Sequence, residues 1–217
     1  ISAFAKGARR PNSQFLAAAN PFVFGTFTLY EGRSSYNLNQ VSITHHFVEL
    51  AGEQPGIYYG YYFLELADYF GQEGTDEKES MNLLYVTVKA LLNPHIEDRL
   101  VRCIFELRMM AAQGLCPSLF HCVCCERQPV EGEEIFFSQQ NHGILDKHCL
   151  GQVNDAKRIS APALYAMQYI VTTSLGKLYT FTVTEEVLYE LERHIHTYVA
   201  SNTEKRFKSL EILEIMS

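Results

Sequence analysis

No apolar run in the sequence approaches the roughly 20 residues that a membrane-spanning helix needs, and no signal peptide is visible. GxGxxG and GxxxxGKS/T are absent, so the common phosphate-cradling loops are excluded. HExxH and HxE…PCxxC are missing as well, and GTFTLYEG carries no serine elbow. Internal repeats, low-complexity tracts and long linkers are not found. There is also no initiator Met. The chain opens on Ile1, already alternating, and this predicts a start inside a domain whose first strands are absent.

What is present suits a soluble globular protein. The 217 residues are 47% hydrophobic and 20% charged, enough for one large domain or two small ones. The net charge of −7 argues against nucleic acid at first, but it is uneven. Residues 1–48 hold Lys6, Arg9, Arg10 and Arg33 against Glu31 alone, a balance of +3, and the remainder carries −10. This pattern describes a basic N-terminal module on an acidic body.

ISAFAKGARR reads as a strand ending in a basic turn, and SQFLAAAN as a short helical turn stopped at Asn20-Pro21. FVFGTFTLY (22–30) reads as a strand, EGRSS as a turn and YNLNQVSITHHF as the returning strand. From about His46 the period becomes helical. GIYYGYYFLELADYF has the all-round apolarity of a buried helix. Helices are further predicted over 79–93, 96–114 (with Leu100, Ile104, Leu107 and Ala111 on one stripe), 160–173 and 182–202, and in a closing amphipathic segment. Gly114, Pro162 and Thr182 or Thr184 supply the stop, first-turn and cap signals. The fold class is therefore α+β.

Cysteine is scarce except in one segment: five of the six fall between Cys103-distant Cys116 and Cys149. Cys122 and Cys125 form CxxC, the spacing with which one tight turn offers two thiolates to a tetrahedral zinc. Asp146-Lys-His-Cys149 repeats the spacing with Asp for the first thiolate. Asp146 is a legitimate zinc ligand, and His148 or His142 offers nitrogen instead. EEIFFSQQNHGI between them reads as a strand turning at Gly143. A structural zinc is expected; a degenerate ribbon with free thiols is the alternative. Glu133 or Glu134 would have to serve as base if the metal were catalytic. Cys103 and Cys116 read as structural, and the His45-His46 and His194/His196 pairs as packed or solvated. Lys6 to Arg10, on a β module with exposed Phe4 and Tyr30, is what a nucleic-acid-binding barrel face would use.

ISAFAKGARRPNS, YYFLELADYF, RLVRCIFELRMMAAQGLCPSLFHCVCC, IFFSQQNHGILDKHC and TYVASNTEKRFKSLEIL together resemble the RecO family of bacterial recombination mediators, with gaps, over essentially the whole chain. The resemblance implies an N-terminal OB-fold, here truncated (residues 1–48), and a helical domain (49–217) with a zinc ribbon inserted at about 116–152. It implies a cytoplasmic, nucleoid-associated, non-enzymatic repair protein with no membrane role. Such proteins bind single- and double-stranded DNA, anneal strands, contact the C-terminal tail of single-stranded-DNA-binding protein, and join RecR in loading RecA. Lys6, Arg9 and Arg10 match the family's basic segment, with Arg33 added from the charge pattern. Cys122, Cys125 and Cys149 match three ribbon cysteines, with Asp146 where the fourth often stands. Arg102 or Arg108, flanking F-E-L, is expected to hold the acidic tail. The competing readings are a zinc-dependent hydrolase or deaminase using an open Asp146/His148 site, and a zinc-ribbon adaptor that binds only proteins.

Overall fold

The structure is a computed structural model and describes all residues but Gln14, Ser34 and Ser217. Two of these lie in the SQFLAAAN and EGRSS stretches, so those readings fall partly outside the described residues.

The aromatic and β-branched N-terminal segments pair as expected. β1 (Ala3–Phe4), β2 (Val23–Glu31) and β3 (Tyr36–His46) form an open sheet in the order β1-β3-β2, with β1 parallel and β2 antiparallel to β3. The register shifts between Phe24 and Gly25, where a Cβ would collide with the Ser42 carbonyl; glycine alone permits the approach. Among the described residues of the preceding stretch, only Ala17–Ala19 makes a helical turn.

The sheet is anchored to the helical body by aromatic rings. Phe22 adopts φ +60°, rare for a bulky residue, and lies over Gly60, where a Cβ would stand 2.9 Å from Phe22 Cε1. Phe24 packs edge-on against Phe47 and Tyr85, with centroids 5.6 and 5.3 Å away.

The body consists of α1 (Gly56–Phe70), α2 (Lys78–Ala90), α3 (Asp98–Ala112), α4 (Ala161–Thr172), α5 (Glu185–Ser201) and α6 (Lys208–Met216). α3 is the central element, packed against α1, α2, α4 and α5. Its burial exceeds the predicted stripe: Val101, Phe105, Met109 and Met110 are buried beside Leu100, Ile104 and Leu107, whereas Ala111 is half-buried. α1 is more one-sided than its sequence suggests. Tyr59, Tyr62, Phe63 and Leu66 are buried, while Tyr61 is 42% exposed. The end signals act as read: Gly114 takes φ +75° after α3, Pro162 sits in the first turn of α4, and Thr184 takes the N-cap position of α5; Ser160, not singled out in sequence, caps α4 through Ala163 N at 3.3 Å.

Between α3 and α4 the chain makes a second sheet, β5-β4-β6, from β4 (Ile135–Ser138), β5 (Gly143–Asp146) and β6 (Lys157–Ile159). It docks on α5 through Phe137, which packs edge-on against His194 and Tyr198. The turn sits before Gly143 rather than at it, with His142 at φ +54°. Gly143 itself opens β5, because a Cβ there would lie 2.6 Å from the Ser118 carbonyl.

Candidate metal centre and basic surface

The CxxC turn folds as its spacing requires. Glu126 N donates to Cys122 O and Cys122 N to Arg127 O, both at 2.9 Å, and Glu126 takes φ +60° to close the loop. Val123 N donates to Ile144 O at 2.9 Å and ties the turn to β5. Cys149 enters from a helical turn over Lys147–Gln152 that follows β5 directly. Together these elements place the sulfurs of Cys122, Cys125 and Cys149 within 4.8 Å of one another. Sulfurs on a tetrahedral zinc with bonds of about 2.3 Å lie about 3.8 Å apart, so the thiols need to close by about an ångström at most.

The electrostatics of the three sulfurs differ. Burial raises the Cys122 thiol, but backbone N–H donors of Asp146, Cys124 and Cys125 outweigh it and bring it below the ordinary thiol range. Burial and the neighbouring Cys125 and Cys122 sulfurs push Cys149 up. Three thiolates cannot coexist at this spacing without a cation. The donor set therefore fits a thiophilic metal.

Asp146 borders this group without belonging to it. It is 1% exposed, and its Oδ2 accepts from Arg127 Nε at 2.9 Å and from the Cys125 thiol at 3.3 Å. His148 is exposed, and His142 lies over Tyr198 with centroids 5.8 Å apart; neither joins the sulfur group. Glu133 is engaged by Arg127 and Glu134 by Lys147 and Arg158, so both candidate bases already hold cations. Cys103 is fully buried as expected, but Cys116 is exposed.

The four cations expected to meet DNA lie on the N-terminal module. Lys6, Arg9, Arg10 and Arg33 are exposed, and among the described residues none makes an ion pair. Gly7, at φ +78°, turns the chain so that Arg10 folds back over it. Arg33 occupies the β2–β3 turn. Register then adds what the sequence did not give. Asn37 pairs with Phe4 on one side and Tyr30 on the other. Paired residues project to one face, so two rings, 61% and 69% exposed, flank Asn37 about two strand spacings apart, or about 10 Å.

Arg102 and Arg108 part company. Arg108 donates to the Val171 carbonyl at 2.5 Å and faces Glu79 at 3.7 Å, securing the end of α4. Arg102 donates through Nε to Glu106 Oε1 at 2.8 Å and lies over the Tyr62 ring at 5.2 Å. It lines a cavity of about 470 Å³ with Tyr62, Glu106, His196, Lys205 and Phe207. Glu106 is fully buried, accepts from Tyr62 OH at 2.7 Å, and has His196 Nε2 at 3.5 Å from its Oε2, which finds no hydrogen-bond partner among the described residues. Neither this carboxylate, which lies inside the F-E-L motif, nor Arg127 stood out in sequence.

Comparison with known proteins matches both parts of the chain. Residues 1–47 match the family model described as Recombination protein O N terminal, and residues 56–211 match Recombination protein O C terminal. The protein named DNA repair protein RecO from Acetivibrio thermocellus is 27% identical over 216 residues, covering 100% of this chain and 85% of that protein. Its namesakes from Alkaliphilus metalliredigens and Symbiobacterium thermophilum are each 29% identical, covering 98% and 100% of this chain and 86% of each relative. No helix among the described residues is long and apolar enough to cross a membrane.

Proposed function

The chain belongs to the RecO family, and from that premise we propose that it is a cytoplasmic, nucleoid-associated DNA-repair mediator that binds and anneals single-stranded DNA and, with RecR, helps load RecA. The observation that carries this reading is the Phe4–Asn37–Tyr30 rung beside the unpaired cations Lys6, Arg9 and Arg10. Exposed rings accept any base face, and free cations hold phosphates without reading sequence. A mediator needs this combination, since strands must be held, compared and released. Double-stranded DNA is bound through the same cations.

Residues 1–48 act as the DNA-binding module and 49–217 as the body, whose excess acid turns DNA away and leaves its surface to protein partners. The C-terminal tail of single-stranded-DNA-binding protein is assigned to the cavity beside Arg102. Buried Glu106 holds the guanidinium there, and Lys205 adds a second cation. Arg108, occupied by the end of α4, is left out. Cys122, Cys125 and Cys149 hold a structural zinc that pins the CxxC turn to the segment after β5; when bound, the ion supplies a crosslink and no chemistry on substrate. No catalytic step is assigned to the chain.

The test is annealing of complementary strands coated with single-stranded-DNA-binding protein. The parent chain should accelerate annealing, and a chain with Lys6, Arg9 and Arg10 changed to Ala should not. No acceleration by the parent would reject the mediator reading.

A further inference from the structure

Beneath the cavity beside Arg102, the bonds made by Glu106 leave one of its atoms unserved. Oε1 accepts from Tyr62 OH at 2.7 Å and from Arg102 Nε at 2.8 Å. Oε2 is buried and finds no hydrogen-bond partner among the described residues, although His196 Nε2 stands 3.5 Å away. The same nitrogen lies 3.7 Å from Cys103 Sγ. Burial and the Glu106 charge hold the Cys103 thiol well above its ordinary range, so it keeps its proton and has Nε2 as acceptor. A neutral ring that accepts at Nε2 has no proton there to give to Oε2. A protonated ring would have one, and a buried carboxylate oxygen left bare is costly.

The surroundings of His196 set its affinity for that proton. Burial opposes the charged ring most, and Arg102 and Arg99 of α3 oppose it too, whereas Glu106 favours it. Glu192, one turn back on α5, also favours it but is held by Arg99 Nε at 3.0 Å. From α1, Tyr62 is occupied by Glu106. Lys205 faces Glu65 at 3.5 Å, and exposed Glu204, Arg206 and Glu211 line the rim. Burial prevails, so the ring lies below its ordinary range and stays neutral near pH 7.

We propose that the cavity takes up its acidic peptide together with one proton, which His196 Nε2 receives and donates to Glu106 Oε2. The proposal rests on the reading of this cavity as the site of the tail. An acidic peptide sets a carboxylate on Arg102, whose Nε already serves Glu106. Two anions then share one guanidinium that is only 12% exposed, and a further positive charge is called for. His196 is the group placed to acquire it. A proton on Nε2 answers the bare oxygen and offsets the incoming charge in one step. By linkage, a group that gains proton affinity on binding makes binding tighter as pH falls.

The experiment is fluorescence anisotropy of the full chain with a labelled peptide of the C-terminal tail of single-stranded-DNA-binding protein, from about pH 8 to about pH 6 at constant ionic strength. The peptide's side-chain carboxyls stay ionised throughout, since they titrate at about 4. The parent should bind about tenfold tighter at the acid end, against a ceiling of about 100-fold for one proton over two pH units. His196→Gln should bind with an affinity that no longer changes with pH. Calorimetric titration of the parent in two buffers of different ionisation enthalpy should show net proton uptake, and it decides the matter should His196→Gln not fold. An affinity flat in pH without proton uptake, or a pH dependence that His196→Gln retains, would overturn the proposal while leaving the tail site standing. A parent that binds the peptide at no pH would reject the site and the proposal together.

Discussion

Phe4 and Tyr30, 26 positions apart in sequence, stand on one face of the N-terminal sheet as the two neighbours of Asn37. Their rings are exposed and not buried against the body, which fits a stacking platform better than a core. Phe4→Ala and Tyr30→Ala should each weaken single-stranded DNA binding by about 1–3 kcal/mol and leave its salt dependence unchanged. Fluorescence anisotropy with a labelled oligonucleotide at several salt concentrations measures both. An unaltered affinity in the double variant would remove the platform.

The basic cluster should behave in the opposite way. Each phosphate contact contributes about 0.7 to the slope of log affinity against log salt on a single strand. Changing Lys6, Arg9 and Arg10 to Ala should therefore flatten the slope by about 2 if all three touch phosphate. A slope identical to the parent's would place the contacts elsewhere.

Arg102 and Glu106 form a pair that is mostly removed from water, with side chains 12% and 0% exposed. Arg102→Met should destabilise the fold by about 3–5 kcal/mol, because Glu106 is left without its counter-ion. Adding Glu106→Gln should restore part of that loss. Urea denaturation of the single and double variants checks the order; a single variant as stable as the parent would show that the pair contributes little.

Two groups set opposing pH dependences. Burial lowers His194 to about 4 from an ordinary 6.5, so between those values the unfolded chain binds the proton that the fold refuses, and stability falls as pH drops. Burial, with Glu53 and Glu97 nearby, raises Asp98 from 3.8 to about 6, so there the fold holds the extra proton and stability rises as pH drops. His194→Gln should flatten the loss on acidification from pH 6.5 to 4, and Asp98→Asn should steepen it. Urea midpoints across this range decide the matter, and a shift in the reverse direction in either variant would contradict the assignment.

Much of the fold was legible because its signals are local. Period, caps and breakers depend on neighbours within a turn, so Gly114, Pro162 and Thr184 mark helix ends correctly. The CxxC turn is equally local, and its spacing alone foretells a paired-sulfur knuckle. The all-round burial of α3 was not legible. A helix packed on four others needs apolar residues outside any one stripe, and only the packing reveals which faces meet a neighbour.

The sequence by itself determined the α+β class, the charge division between residues 1–48 and the rest, and the three cysteines that converge. Tertiary structure decided what each polar side chain does once it has arrived. It gave Arg108 to the end of α4 and left Arg102 on a cavity; it turned His142 toward Tyr198 and set Arg127 against Asp146. These outcomes depend on partners at least 19 residues along the chain, the separation of Arg127 and Asp146, and Arg108 and Val171 stand 63 apart. Hydrogen-bond reach of about 3 Å is a condition on space, and no period or spacing in the chain encodes it.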